Sequence, residues 1–463
     1  MPLRFLTAGE SHGPSLTAIL EGMPAGLPID RAALDALMAR RQKGFGSGGR
    51  MAIEHDRVRI TAGVLGGRTT GAPIALIIDN ADHASWAERD IPPLTIPRPG
   101  HADLSAAVKY GYRDLRLGLE RASARELAAR VAVGGVCLQL LQRFGIEIGC
   151  YVVQIGDVVA GGPHPPTPSP TSGGGGGRLA GEGTVGSVAG EDPSVADDDS
   201  SWESVYRACF AAAEASDVRC PDPAASAAMR AAIQAAARDR DTLGGVFEVV
   251  ALGVPPGLGS HVHWDRRLTG RLIGAVTSIP AIKGAEIGPA FANAGRRGTE
   301  VHDRFALAAG DDDGDDDGDD DGGDGALGGV AGTGHRRIVR TGGRGGGLEG
   351  GITTGAPIVV RGAMKPISTT LTPLASVDLA TGEAAETRYE RSDICAVPRA
   401  AVAAEAVIAI VLADALLEKL GGDSVDELDD RIARLRRNRV ADLPMDDVPW
   451  RFGYGDEPPG DVR

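Results

Sequence analysis

The 463-residue sequence is poor in aromatic residues, at 4%, and its five cysteines (Cys137, Cys150, Cys209, Cys220 and Cys395) include no CxxC pair. Their odd number and the lack of metal-ligand spacing argue against a disulfide framework or a cysteine metal site, and fit reduced thiols in a cytosol. No leader pattern precedes the first motif, which already begins at Gly9, so a cytoplasmic location is expected. The most apolar window, Ala400–Leu417, contains Glu405 and Asp414, which favours a buried helix over a membrane span. A basic stripe interleaved with aromatics is also missing, which disfavours nucleic acid as a partner. No Walker loop is present. Gly44-Phe45-Gly46-Ser47-Gly48-Gly49 matches G-x-G-x-x-G, but it follows a helical pattern and lacks a surrounding βαβ unit.

What is abundant is glycine, at 67 residues, and acid, with a net charge of −15. The charge is local. Residues 161–201 carry −5 and the aspartate run Asp311–Asp324 carries −10, so the remaining body is neutral and its site can still be basic. Both stretches are low in complexity and are expected to be disordered inserts, over 161–201 and 306–335. Asp313-x-Asp315-x-Asp317-Gly318 imitates a calcium loop, yet its flanks are glycine-rich rather than helical. Residues 443–463, with Pro444, Pro449, Pro458 and Pro459, read as a tail. The catalytic body is therefore expected to be one large domain over 1–442.

Along that body, strands are expected at Leu3–Thr7, Ser15–Leu20, Val58–Ile60, Ile74–Ile78, Glu147–Ile155 and Gly245–Leu252. Asp30 should cap a helix running to about Lys43, with Gly44 as its stop. Further helices are expected at Pro223–Arg238, Arg266–Ala275 and from Pro398 to Leu420. Ser123 and Glu126 have capping-box spacing, which predicts a helix over 123–143 with Arg121 and Arg125 beside its start. Free N–H groups there would seat an anion. On these residues alone, a capped core helix with solvated arginines is the favoured account. Residues 66–74, GGRTTGAPI, recur as 350–358, GGITTGAPI, with one mismatch, and this argues for a duplicated unit.

Gly9-Glu10-Ser11-His12-Gly13 satisfies G-x-S-x-G, but too few residues precede it for the strands and oxyanion loop of a hydrolase elbow. A histidine in a tight glycine loop suits a proton donor better, because histidine exchanges protons near neutral pH, with a turn histidine of no chemical role as an equal account. Arg98-Pro99-Gly100-His101 places a second histidine in a turn. Arg41, Arg50, Arg98, Arg121, Arg125, Arg340, Arg344 and Arg391 adjoin glycine loops or helix starts, a placement suited to a ligand with phosphate and carboxylate groups.

These stretches together resemble the chorismate synthase family: 7–13 (TAGESHG), 98–103 (RPGHAD), 120–133 (ERASARELAARVAV) and 391–398 (RSDICAVP). Residues 241–245 (DTLGG), 281–288 (AIKGAEIG), 347–351 (GLEGG) and 364–369 (MKPIST) agree, and the likeness runs from residue 1 to about 440 apart from the inserts. The resemblance implies a cytoplasmic lyase of the shikimate pathway, working on 5-enolpyruvylshikimate 3-phosphate by 1,4-anti elimination with reduced FMN (FMNH2). It implies an α+β fold, an internally duplicated β-α-β-α sandwich with helices packed between antiparallel sheets, assembling as a homotetramer. By matching motif, His12 would protonate the leaving phosphate, His101 would act near the flavin pyrimidine, and Asp393 would assist proton transfer at flavin N5. Ser11 and Ser123 would support them. FMN would contact Arg121, Ala122, Ser123, Pro280, Ala281, Gly350, Lys365, Pro366, Ile367, Ser368, Thr369 and Arg391. Arg41, Arg50 and Arg125 would hold substrate anions; no metal is expected.

Two departures stand out. Ser47 occupies a position where the family usually has an arginine, and Gly342-Gly343 replaces a usual Thr-Asn. A weakened FMN-binding paralogue is the alternative they suggest. The flavin reductant could be NADPH or a separate flavin reductase, and the missing dinucleotide fingerprint leans towards the reductase.

Overall fold

The computed structural model describes residues 2–48, 54–161, 199–308, 336–389, 392–447 and 449. The expected disorder of the two inserts and the tail therefore lies almost wholly outside the described residues. At the insert edges the structure corrects the expected bounds. Residues 199–201 start a helix, and 306–308 end a strand that pairs with Arg337–Thr341.

The first half supplies β1 (Arg4–Ala8), β2 (Ser15–Glu21), α1 (Arg31–Gln42), β3 (Arg59–Ala62), β4 (Val64–Leu65), β5 (Arg68–Thr69) and β6 (Ile74–Asp79). Then come α2 (Asp103–Tyr110), α3 (Arg116–Ala122) and α4 (Leu127–Arg143). An antiparallel sheet forms in the order β1-β2-β6-β3. Only one face of it is fully buried, because Leu16, Ala18 and Leu20 of β2 alternate with more exposed neighbours, as do Ile74, Leu76 and Ile78 of β6.

The second half supplies β7 (Glu147–Ile155), β8 (Val158–Val159), α5 (Asp199–Ala215), α6 (Pro223–Arg238), β9 (Gly245–Leu252), α7 (Leu268–Thr277) and β10 (Ile282–Ile287). There follow α8 (Ala290–Ala294), α9 (Gly298–Val301), β11 (Arg304–Ala308), β12 (Arg337–Thr341), β13 (Leu348–Glu349), β14 (Ile352–Thr353), β15 (Ile358–Met364) and α10 (Val397–Leu420). The second sheet has the antiparallel order β10-β15-β9-β7-β8. Its central strands are buried on both faces. Helix α10 packs on β7 and β9, and Tyr206, Cys209 and Ala213 of α5 join Tyr151, Val153 and Val250 in a separate apolar cluster.

Helices α4 and α10 pack together, with α4 also against β2 and β6. Their contact rests on Gly134, where a Cβ would lie 2.5 Å from the carbonyl oxygen of Ala406. Helix α10 is apolar nearly all round, as befits a core helix, and 89% of its most apolar window is buried. Its Glu405 is carried inside because Arg40 of α1 pairs with it at 2.8 Å.

The repeated nonapeptide builds the same local structure twice. Gly66 and Gly67 turn between β4 and β5 with φ of 57° and 77°, and Gly350 and Gly351 turn between β13 and β14 with φ of 58° and 86°. Thr69 Oγ1 donates to the Pro24 carbonyl at 2.6 Å and accepts from Leu27 N–H at 2.9 Å. Thr353 Oγ1 donates to Pro255 at 2.7 Å and accepts from Leu258 N–H at 2.8 Å. Each copy leads into a sheet strand, β6 or β15.

Several predicted elements match closely. Asp30 caps α1 by accepting from Ala32 and Ala33, while β7, α6 and β9 have the expected bounds. The helix start at Ser123 differs. Helix α3 runs up to it, Ser123 is extended, and a 3-10 turn over Ala124–Glu126 leads into α4. Ser123 Oγ accepts from Arg125 N–H at 3.3 Å, but no capping box forms because Glu126 takes Arg130 at 2.7 Å instead.

Candidate active site

The turn at Ser123 opens onto a cleft of ≈ 770 Å³, whose walls come from the 9–13 loop, the 98–103 turn, the α3–α4 junction, 279–281, 364–369 and the approach to α10. That volume suits a small-molecule site, in the range of about 300–1,000 Å³. Among the described residues, seven Arg or Lys line it (Arg41, Arg98, Arg121, Arg125, Arg130, Lys365 and Arg399), against the acids Glu126 and Asp393.

Both histidines are held by carboxylates that the sequence reading did not single out. His12 Nδ1 meets Glu120 Oε1 at 2.7 Å, and its backbone N–H donates to Glu120 Oε2 at 2.8 Å. Trp86 lies against the imidazole, with ring centroids 4.1 Å apart. Burial alone would raise the Glu120 carboxyl, but the hydrogen bonds from His12 outweigh it and hold the group below its ordinary value. With Nδ1 engaged by Glu120, the other ring nitrogen is Nε2. His101 Nδ1 meets Asp103 Oδ1 at 2.5 Å, while Arg98 grips the same carboxylate through Nε at 2.8 Å and Nη2 at 3.0 Å. Burial pushes Asp103 up, and the hydrogen bonds from His101 and Arg98 more than reverse that, keeping it well below the usual carboxylate range. Arg98 also donates to Thr369 Oγ1 at 3.1 Å, tying the histidine turn to the 364–369 segment.

A second pair of arginines shares one buried carboxylate. Arg125 Nη1 binds Asp56 Oδ1 at 2.6 Å and its Nε binds Asn80 Oδ1 at 2.7 Å, while Arg41 pairs with the same Asp56. Burial drags the Arg41 guanidinium below its ordinary value; Asp56 opposes this and the Arg125 charge adds to it. Asp393 accepts from Gly48 N–H at 2.7 Å and pairs with Arg399. Burial and the Arg41 charge pull the Arg399 guanidinium down to about 9. The Nε atoms of Arg41 and Arg399 are both buried without a hydrogen-bond partner among the described residues.

Most of the expected site residues converge on this cleft. Ser11, His12, Arg41, His101, Arg121, Ala122, Ser123, Arg125, Pro280, Ala281, Lys365, Ile367, Ser368, Thr369 and Asp393 line it. Ser11 Oγ donates to Ser123 Oγ at 3.1 Å, closing the 9–13 loop onto the α3–α4 junction. Ala281 adopts φ 69°, a conformation costly for a residue with a Cβ, in the cleft wall. Burial and Lys283 lower the Lys365 ammonium. Pro366 lies between two lining residues without lining the cleft itself. Gly350 is not at the cleft; it sits in the β13–β14 turn, 3.8 Å from His261 by its would-be Cβ. Arg50 and Arg391 lie outside the described residues.

Other expectations about the arginines change. Arg121 ends α3 and donates to the Thr7 carbonyl at 2.9 Å and the Gly9 carbonyl at 3.3 Å, so part of its fork anchors β1. Arg340 pairs with Glu349 at 2.7 Å, and Arg344 donates to Asn293 at 3.2 Å; neither lines the cleft. Arg399, Glu120, Asp103 and Asp56 were missed. Only Asp103, two residues beyond His101, carried a local signal.

The family model described as chorismate synthase matches residues 3–417. The chorismate synthase of Desulforudis audaxviator is 46% identical over 451 residues, covering 95% of this chain and 99% of that protein. That of Symbiobacterium thermophilum is 48% identical over 439 residues, covering 92% and 96%. A chorismate synthase crystal structure matches with a TM-score of 0.65 at 40% identity, covering 94% of this chain and 97% of that one.

Proposed function

The chain belongs to the chorismate synthase family, and from that premise we propose that its cleft converts 5-enolpyruvylshikimate 3-phosphate to chorismate and phosphate by 1,4-anti elimination. The observation that carries the reading is the pairing of two carboxylate-backed histidines with a cationic wall in one cleft. A substrate bearing a phosphate and carboxylates finds there both its counter-charges and its proton donor.

The residues present fit reduced FMN as the cofactor. Ile279, Pro280, Ala281, Met364 and Ile367 provide an apolar wall for a flat ring, and Ser123, Lys365, Ser368 and Thr369 provide polar partners at its edge. When bound, reduced flavin supplies electron density that eases loss of the allylic phosphate, with no net redox change. The chain's own residues do the rest. Arg41 and Arg125 neutralise substrate oxyanions, with Arg50 and Arg391 as further candidates. His12, oriented by Glu120, delivers a proton from Nε2 to the leaving phosphate. His101, fixed by Asp103, would hold a proton near the flavin pyrimidine. Asp393, held by Gly48 N–H and Arg399, is placed to accept one. Once filled by cofactor and substrate, the cleft would hold less water to compete for the proton and to screen these charges.

The two copies of the glycine turn, each feeding a central sheet strand, support an internally duplicated β-α-β-α sandwich. A homotetramer in the cytoplasm and a flavin kept reduced by a separate reductase complete the proposal, with NADPH as the alternative reductant. The test is anaerobic incubation of the purified protein with the enolpyruvyl substrate and chemically reduced FMN, following chorismate by its absorbance. Tight flavin binding without chorismate would instead support the non-catalytic flavoprotein reading.

A further inference from the structure

Arg399 is the third residue of α10, at the positive end of the helix, where a cation is disfavoured. Its side chain is nevertheless only 14% exposed and stands on the cleft wall. Its ion-pair partner, Asp393, is shared with the Gly48 N–H, and its Nε has no partner among the described residues. Arg41 stands near enough for its charge to act on Arg399, and its own buried Nε is likewise unpartnered. The two guanidiniums thus leave two buried donors unmet at one corner of the cleft, a costly arrangement unless an acceptor arrives.

The neighbouring loop explains why the charge comes from the helix. A Cβ built on Gly44 would lie 3.4 Å from Arg399 Cγ and 3.7 Å from Ser47 Oγ, so the arginine stem and Ser47 both adjoin Gly44. Ser47 brings no charge, and its hydroxyl is turned back to the Gly44 carbonyl at 2.6 Å. We propose that Arg399 and Arg41 together form an oxyanion-binding corner that takes a carboxylate or phosphate group of the substrate. Arg399 supplies from α10 the positive charge that the 44–48 loop lacks at Ser47. A planar fork on a helix end is well suited to this, since it can keep Asp393 on one edge and receive the substrate on the other.

This inference rests on the reading of the cleft as the enolpyruvylshikimate phosphate site. The experiment compares KM and kcat for the parent, Arg399→Ala, Arg399→Lys and the double variant Arg399→Ala with Ser47→Arg, with inorganic phosphate as a competing ion. Losing a charge-assisted pair should raise KM about tenfold or more in Arg399→Ala. Arg399→Lys should recover part of the loss, and Ser47→Arg should bring KM back towards the parent. A weaker inhibition by phosphate in Arg399→Ala assigns the corner to the phosphate group, and unchanged inhibition beside a raised KM assigns it to a carboxylate. A fall in kcat with KM unchanged would show that Arg399 serves only Asp393, and would overturn the proposal. Should Arg399→Ala not fold, Arg399→Gln, which keeps the length and an N–H donor, carries the same comparison. No turnover by the parent would instead defeat the reading of the cleft.

Discussion

Gly134 and Gly270 are both helical glycines, yet alanine should act on them in opposite directions. Intrinsic propensity favours alanine over glycine by about 1 kcal/mol inside a helix. At Gly270 in α7 nothing lies within 4 Å of the added Cβ, so Gly270→Ala should raise stability by about that amount. At Gly134 the Cβ would meet Ala406 Cβ and O at 2.5 Å and Cα at 2.7 Å. Two of those atoms are backbone of α10 and cannot swing aside, so the cost sits at the upper end of about 1–3 kcal/mol. Subtracting the propensity gain leaves a net loss of about 2 kcal/mol. Urea unfolding of the two variants beside the parent measures both changes. The forced separation of α4 from α10 should also widen the cleft, because the α3–α4 junction carries Ser123 and Arg125 while α10 carries Arg399; KM should rise in Gly134→Ala only. A Gly134→Ala protein as stable as the parent would refute the close-packing argument.

Three further outcomes are expected. His12→Ala should lower kcat by about 10²–10⁴, and Glu120→Gln should lower it less with KM little changed; a Glu120→Gln enzyme equal to the parent would remove Glu120 from the orientation of His12. Asp103 has a folded-state value depressed below the unfolded carboxylate value, after its hydrogen bonds from His101 and Arg98 outweigh burial. Its contribution is therefore complete above about pH 4 and is lost as pH falls through the folded-state value, so parent stability should decline over that acid range while Asp103→Asn stays flatter. Equal slopes in urea titrations at several acid pH values would contradict this. Ser123→Ala removes the acceptor for both Arg125 N–H and Ser11 Oγ and should cost about 1 kcal/mol of stability together with FMN affinity. A loss of stability alone would remove Ser123 from the flavin wall.

Much of the fold was legible because its signals are local. Alternation marked β2 and β6, the aspartate at residue 30 marked α1, and the repeated nonapeptide marked two identical turns. Helix α5 was missed because its first residues adjoin a low-complexity stretch that hides the helical period. The Ser123 start was misread because Arg130, four residues on, competes for the Glu126 carboxylate. In the cleft, the histidine loops were visible from their glycines, but their supports were not. Glu120 lies 108 residues from His12, and Asp56 lies 69 from Arg125, distances over which spacing carries no information. Gly350, which only the family resemblance offers for FMN, sits in the β13–β14 turn beside His261.

The most direct test of the account is the stoichiometry of phosphate release against flavin oxidation. Under anaerobic conditions, with reduced FMN and the enolpyruvyl substrate, chorismate and phosphate should appear together over many turnovers while the flavin remains reduced. One phosphate released per flavin oxidised, or phosphate without chorismate, would contradict a cleft built for redox-neutral elimination.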